Sequence, residues 1–462
     1  MIELHRRGSG SKMMTNEEIY DRWVEAQRQR ISEWKRTGSK KKFVGERGYL
    51  HFDGKISFRD HIDTGGHTIN DVLKTESAIA GHKFLPFIRD DQRVRKFRDK
   101  KKVTPLGEIR KHHQRFSTIK NRPIMYAAHR DACIYSMYGQ VLYEEYEKKV
   151  VVDEIDSAVL AYRRIPLGET QNNKSNIDFA NDLHKKILGY ERVGVLMADM
   201  SHFFDTIDHD KLENRWTALL DVDELPPDHA AVFKSLTRFR YVFKKEVYTA
   251  LALTPDRIKV LSKRRFGALT SPRVFNSKIS KASLIRKNKS GSGIPQGSPI
   301  SGLLANIYMC DFDKQIYQYV KLRGGHYARY SDDIVILIDE SMLKEAYEFM
   351  KSLIRDDKIE INDKKTDAFT FDKTNGQFTN ALDLLGIPHP FNQKQYPQYL
   401  GFTLRDDGML IRSNTLARRF RGNDRLNSKR WKYFELSEHK TGSKAIHTQV
   451  KKVRKKIKRE NS

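Results

Sequence analysis

Apolar residues recur at helical spacing along much of this chain. In TNEEIYDRWVEAQRQRISEW, Thr15 to Trp34, the positions Ile19, Trp23, Val24 and Ile31 make one apolar side. Thr15 stands where a cap belongs, with Glu17 and Glu18 in the first turn, so a surface helix is predicted. Between Lys120 and Val150 a short extended piece leads into a second helix, carried by Ile134, Met137, Tyr138, Val141 and Leu142. Phe179, Ala180, Leu183 and Ile187 mark another that begins near Asn176, and a further helix covers Ser341 to Asp357. From about Arg412 the chain is helical and basic. There Ile446, Val450, Val453 and Ile457 form a narrow seam that core packing explains more readily than a partner does, although its Lys and Arg neighbours suit a duplex.

Elsewhere the period shifts toward strands. From Arg192 to Leu220, branched and apolar residues predict a strand up to Asp199, after which Leu212, Trp216 and Leu219 mark a helix capped around Asp208. YSDD, Tyr330 to Asp333, precedes the apolar run IVILI and reads as a hairpin. The stretch from Pro295 to Val320 reads as one helix after a Pro/Gly turn, and His82 to Ile88 as a segment inserted into the core. The polar, basic, glycine-bearing residues 262–292 predict a mobile loop or insertion. No internal repeat is present.

Charge narrows the partners. The chain has 462 residues, with 86 Lys and Arg against 59 Asp and Glu and a formal charge of +27. That length suits about two to four domain-sized units. The excess clusters at Ser39 to Lys42, Arg93 to Lys102, Ser262 to Arg265 and Lys451 to Arg459, which points to a polyanion such as nucleic acid. Two cysteines, Cys133 and Cys310, have no zinc spacing, and a reducing cytoplasm is expected. His82, His112 and His113 have no ligand spacing either. No apolar stretch approaches the roughly 20 residues that span a bilayer. The opening MIELHRRGSGSKMM lacks a hydrophobic signal core, and residues 1–13 read as a tag.

Adjacent carboxylates at the mouth of an apolar strand repel each other unless a positive charge answers them. Taken alone, an Asp-Asp pair in a turn is an ordinary solvated loop. If the strand ending at Asp199 lies beside the Asp332–Asp333 hairpin in one antiparallel sheet, however, the acids converge. Such a set would hold two Mg²⁺ about 3.5–4 Å apart, a clamp for phosphoryl transfer.

Three motifs then occur in order: ADMSHFFDTIDHDKL, GIPQGSPISGLLANIYM and RYSDDIVILI. They resemble the first palm motif, the Pro-Gln-Gly motif and the Tyr-x-Asp-Asp motif of prokaryotic reverse transcriptases. NRPI, INDKKT and YLGFTLRDDGMLIR resemble that family's fingers, lysine and primer-grip segments, and the likeness extends from about Lys120 to Arg419. AYR at Ala161 to Arg163, with NIDFA and HKFLPFI, is most similar to the defence-associated and abortive-infection branch.

That resemblance implies an α+β right-hand polymerase with fingers, an antiparallel palm sheet and a small helical thumb. The divisions it suggests are a tag over 1–13, an N-terminal extension over 14–115, fingers over 116–190, palm over 191–400 with a basic insertion near 262–292, and thumb and basic tail over 401–462. Asp199 and Asp332 correspond to the principal metal ligands, the Met200 carbonyl to a backbone ligand, and Asp333 to the third carboxylate. Lys120 and Arg122 match triphosphate binders, and Gln296 a contact to the nucleotide or template, with Gly297 allowing close backbone approach. Phe204 falls where an aromatic face against C2′ would exclude a 2′-hydroxyl, whereas Phe203 reads as core. Lys365 resembles the lysine that protonates pyrophosphate, with Lys364 as a competitor. Tyr330, Leu400 and Gly401 correspond to primer support.

The implied activity is RNA-directed DNA polymerisation with two Mg²⁺, or Mn²⁺ in their place. A noncoding RNA template, dNTPs and a DNA product would be partners, with a second copy or second reverse transcriptase subunit and no membrane, in a cytoplasmic bacterial antiviral system. Untemplated or protein-primed synthesis and an inactive nucleic-acid scaffold are the alternatives. The tail after YLGF is too short for a nuclease, integrase or RNase H domain of ordinary size.

Overall fold

The computed structural model describes residues 15–37, 48–55, 75–103, 109–169, 172–264, 267–388, 394–413, 415–416 and 429–460. The tag-like residues 1–13 lie outside them. In chain order the described strands are β1 (Phe87–Val103), β2 (Ile109–Tyr126), β3 (Arg192–Ser201), β4 (Arg240–Phe243), β5 (Arg286–Lys287), β6 (His326–Tyr330), β7 (Asp333–Ile338), β8 (Glu360–Ile361), β9 (Asp367–Asp372), β10 (Gln377–Asn380), β11 (Gln398–Tyr399), β12 (Phe402–Arg405) and β13 (Gly408–Ile411). With the helices between them they give the expected α+β class. Two compact units form, each from two pieces of chain: Met1–Val150 with Phe204–Tyr308, and Val151–Phe203 with Met309–Ser462.

In the first unit the sheet order is β2-β1-β4-β5. β1 and β2 make one long antiparallel hairpin, Ile88 opposite Tyr126 and Val103 opposite Ile109, and β4 joins β1 in parallel. The basic run from Arg93 to Lys102 is thus strand, and β2 continues unbroken through residue 115. Pro86, Phe87 and Ile88 are buried, as the apolar content of HKFLPFI predicts. The helix His129–Val152 buries Ile134, Met137, Tyr138 and Leu142 completely. Against it lies the helix Asn16–Thr37, through the Trp23 indole N–H to Ser136 Oγ (3.2 Å) and the pair Arg22–Glu144 (2.5 Å). Its start has the reciprocal cap expected: Glu18 accepts from the Thr15 amide at 2.8 Å and Thr15 Oγ1 accepts from the Glu18 amide at 3.3 Å.

The second unit is built on an antiparallel sheet ordered β10-β9-β3-β7-β6, with β8 also on β3. One of its faces packs the helix Asn176–Gly189, the β11-β12-β13 sheet and the helices Lys429–Thr441 and Lys444–Glu460 into a common core. Ile177, Ile187, Val195, Val335, Phe369, Phe402 and Ile446 are all almost fully buried in it. Each such aliphatic side chain contributes about 1.5–3 kcal/mol. Ile446, Val450 and Val453 of the basic seam belong to this core, which is why they recur on one side of a Lys-rich helix.

Three expectations change. β3 runs on past Asp199 to Ser201, because β8 pairs with Met200 and Ser201. The stretch from Pro295 to Val320 holds two helices, Ser301–Tyr308 and Cys310–Lys321, broken where Met309 leaves helical backbone angles (φ −93°, ψ 1°). Residues 262–292 are largely structured. The helix Pro255–Lys263 ends there, a Ser271-capped turn follows at Pro272–Phe275, a wider turn at Asn276–Ser280, and β5 pairs β4. Sparse apolar residues anchor the stretch: Leu269 and Ile279 are buried in a core with Leu50, Phe52 and Ile88, and the Leu269 amide donates to the His51 carbonyl at 2.8 Å.

Candidate active site

Strand register brings the acids together. Asp199 on β3 stands directly opposite Asp333 on β7, and residues so opposed share one face of a sheet. Asp332 sits in the two-residue turn before β7, where its carbonyl accepts from the Met200 amide at 3.0 Å. The Asp199 carbonyl accepts from the Asn362 amide at 2.8 Å, which ties the INDKKT segment to the same place. A short 3₁₀ turn, Asp363–Lys365, then carries the Lys365 ammonium onto the Asp199 carboxylate. Tyr347 fixes that turn by donating to Asp363 Oδ1 at 2.6 Å. Lys364, one residue earlier, is exposed and among the described residues has no ion pair.

Burial, then the Asp199 charge, raises the Asp332 carboxyl above its ordinary range. Burial and then the negative charges of Asp332 and Asp199 push Asp333 up to about 7, against the pull of Lys365 and Arg412. Burial and neighbouring negative charge both disfavour the ionised forms of Asp332 and Asp333, and cations of the chain offset this in part. Among the described residues no three Asp, Glu, His or Cys side chains form a ready-made metal cluster. As a donor set, though, these oxygens fit a hard divalent cation, whose charge would offset the burial and, after it, the repulsion that lift Asp332 and Asp333.

A buried network holds the hairpin. Arg329, fully buried in β6, grips the equally buried Asp313 with two donors, Nε to Oδ1 at 2.8 Å and Nη2 to Oδ2 at 2.5 Å. Its remaining Nη1 donates to the Ser331 carbonyl at 3.1 Å, and the Tyr327 hydroxyl adds a 2.6 Å bond to Asp313 Oδ1. Ser331 has φ 61°, a region that costs a non-glycine residue about 1–3 kcal/mol and persists where neighbours enforce it. Its hydroxyl lies 3.0 Å from that of Tyr162, itself at φ 62°. Arg329, Asp313, Tyr162 and Arg412 were not singled out from the sequence as site residues. A charged residue inside the apolar strand HYARY was the one available signal, since an Arg is buried only when paired.

Leu400 and Gly401 form the two-residue turn between β11 and β12 with φ 44° and 99°, the double positive φ of a tight hairpin. Asn176 Nδ2 donates to the Leu400 carbonyl and to the Tyr433 hydroxyl, both at 3.0 Å, and the Arg412 amide donates to the Gly401 carbonyl at 3.0 Å. Tyr330 is half-buried against the same core, its ring 6.0 Å from that of Phe179.

The other sequence-derived residues belong to the first unit, where backbone hydrogen bonds join the Pro-Gln-Gly loop to Phe204 and to the end of the strand that carries Lys120 and Arg122. The Phe204 carbonyl accepts from the Ile294 amide at 2.9 Å, and the Gln296 carbonyl from the Met125 amide at 2.7 Å, at the end of the strand that carries Arg122. Gly297 has φ 110°, and a Cβ there would lie 2.8 Å from the Met125 carbonyl oxygen. Only glycine permits so close an approach. Phe203 is buried, as its core reading requires, and Phe204 is half-exposed; Arg122 is exposed. The Lys120 backbone pairs with Val94, but its side chain lies outside the described residues.

Residues 165–404 match the family model described as reverse transcriptase (RNA-dependent DNA polymerase). The chain belongs to the reverse transcriptase family. A retron Ec86 reverse transcriptase from Escherichia coli is 41% identical over 75 residues, 16% of this chain and 23% of that reverse transcriptase, so the match spans about a quarter of the curated relative. Apo telomerase from Candida tropicalis, truncated from its C-terminal domain, is 11% identical at a TM-score of 0.38, over 68% of this chain and 55% of that one. Telomerase from Candida albicans in complex with a fragment of telomeric RNA is 12% identical at a TM-score of 0.36, over 85% and 51%. Among the described residues of this reverse transcriptase family member, no helix is long and apolar enough to cross a membrane.

Proposed function

We propose that this chain is an RNA-directed DNA polymerase that extends a primer 3′ end with deoxynucleotides. The observation that carries the reading is Asp199 paired with Asp333 across β3 and β7, with Asp332 in the adjoining turn and Lys365 on Asp199. The β3-centred sheet serves as palm, the β1–β2 hairpin as fingers, and the helices Lys429–Thr441 and Lys444–Glu460 as a small thumb.

Asp199, Asp332, Asp333 and the Met200 carbonyl would hold two Mg²⁺, or Mn²⁺ in their place. Bound there, the ions supply positive charge against the negative charge that gathers on the phosphoryl group in transfer. Lys365, drawn from Asp199 toward the departing pyrophosphate, donates the proton that group needs. Lys120 and Arg122 bind the triphosphate, Arg122 as a fork of donors. Gln296 contacts the nucleotide or template, and its loop is fixed by the Gly297 approach to Met125. The Phe204 ring, against C2′ of the sugar, leaves no room for a 2′-hydroxyl. Tyr330, Leu400 and Gly401 support the primer end.

The partners of this reading are dNTPs, a DNA product and a noncoding RNA template, with a second copy of the chain as a candidate subunit. The motif resemblance and the retron match support a place in a cytoplasmic bacterial antiviral system. The test is incorporation of labelled dNTPs on a primed RNA. Synthesis should stop on chelation, return with Mg²⁺ and vanish in Asp332→Ala. Unchanged synthesis in that variant overturns the site, and product unrelated to the RNA favours untemplated or protein-primed synthesis.

A further inference from the structure

The first unit contains a cleft of about 980 Å³ that the polymerase reading leaves unused. Its lining includes six cations, Lys83, Lys234, Arg238, Arg240, Lys287 and Lys289, against two acids, Asp210 and Glu213. All six are exposed. Among the described residues none of them is within ion-pair distance of a carboxylate. The cations come from three separate segments, so positive charge lines the walls and is not confined to one point.

The cleft is built on a fixed frame. Phe84, half-exposed within it, stacks on Tyr135 with ring centres 5.5 Å apart and planes 11° from parallel, and His82 meets it edge-on at 4.6 Å. Asp131 holds that segment through His82 Nε2 at 2.7 Å and the Leu85 amide at 2.9 Å. On the opposite segment, Asn288 Nδ2 donates to the Thr237 carbonyl at 3.0 Å and the Ser292 carbonyl at 2.9 Å, and the Asn288 amide to Phe239 at 2.8 Å. These bonds hold Lys287 and Lys289 beside Arg238 and Arg240 without neutralising any of them.

We propose that this cleft binds a single-stranded segment of RNA, its phosphates on the cations and a base against the face of Phe84. Charged walls with an aromatic platform are how sequence-tolerant single-strand sites work, and stacking on such a platform is worth about 1–3 kcal/mol per base. Clefts of about 300–1,000 Å³ enclose a drug-sized body, which is room for a few nucleotides of one strand. The choice of RNA rests on the polymerase reading; the residues that line the cleft all belong to the first unit, the acids to the second.

The experiment uses the full chain and a short unstructured RNA oligonucleotide carrying 4-thiouridine. Irradiation should give cross-links within Lys83–Phe87 and Lys287–Gly291, located by mass spectrometry. In Lys234→Ala/Arg238→Ala/Lys287→Ala/Lys289→Ala these cross-links should be lost. The slope of log Kd against log salt should also shrink by about 3, at about 0.7 per lost phosphate contact. The four Lys or Arg exchanges that keep charge, such as Lys287→Arg, should restore both, which separates loss of charge from misfolding. Asp332→Ala should keep the cross-links while losing synthesis, so each reading can fail without the other. Cross-links confined to other segments, an unchanged salt slope, or displacement of the RNA from the cleft by free dNTP overturns the proposal.

Discussion

Arg329→Met removes the cation that, among the described residues, answers the fully buried Asp313 carboxylate. In the wild type, Asp313 accepts from Arg329 Nε at 2.8 Å, from Nη2 at 2.5 Å and from Tyr327 at 2.6 Å, and all three residues are fully buried. Methionine fills much of the same volume but leaves the Asp313 charge unpaired, which costs about 3–5 kcal/mol for a buried pair broken on one side. A domain is stable by only about 5–15 kcal/mol, so the variant should fold but lose a large part of its urea resistance. Arg329→Met/Asp313→Asn should recover most of that loss, because the amide is uncharged and its oxygen still accepts from Tyr327.

Activity should not recover in parallel. The third contact of Arg329, to the Ser331 carbonyl at 3.1 Å, is absent from both variants, and Ser331 at φ 61° is the residue that aims Asp332. A misplacement of about 1 Å in a reacting group costs on the order of 10²-fold, so kcat should fall about 10- to 100-fold in both. KM for dNTP should change little. Urea titration followed by fluorescence and by circular dichroism, with steady-state incorporation on a primed RNA, reads both quantities. A single variant that keeps its urea midpoint and its kcat, or a double variant that regains kcat with its stability, would refute the positioning role.

Gly297→Ala should lower stability by about 1–3 kcal/mol and depress incorporation, because its Cβ would press on the Met125 carbonyl at 2.8 Å in a backbone region with φ 110°; a variant equal to wild type in melting and turnover counts against that approach. Phe204→Ala should raise ribonucleotide use relative to deoxynucleotide use with little change in melting, since the ring is half-exposed; unaltered sugar discrimination removes Phe204 from that role. His51 is buried, its Nδ1 accepts from the Phe52 amide at 2.8 Å, and burial lowers its pKa from 6.5 to about 4. Between those values the unfolded chain binds the proton and the folded one does not, so its contribution of ~3 kcal/mol is complete above about pH 6.5 and fades toward pH 4. His51→Asn, whose amide oxygen can replace the acceptor, should flatten that part of the stability profile, and identical slopes for the two proteins would contradict it.

What the sequence determined by itself was local. The caps at Thr15 and Asp208, the helix buried through Ile134 and Leu142, and the Ile446–Val453 seam depend on neighbours a few residues away, which fix side-chain spacing directly. The three motifs named the acids because their residue types and order are dense in information over short runs. Tertiary structure decided what depends on register and distance along the chain. It put the Lys365 ammonium, and not that of Lys364, on the Asp199 carboxylate, since a turn of three residues rotates only one of them there. It placed Arg412 near Asp333 and gave Asp332 its supports, Arg329 with Asp313, and Ser331 with Tyr162 across 169 residues of sequence. It turned the polar residues 262–292 into structure, because a few apolar side chains such as Leu269 and Ile279 suffice once a core is there to receive them. Pattern reports which face of an element will be buried, whereas the partner that buries it is set by how the whole chain folds.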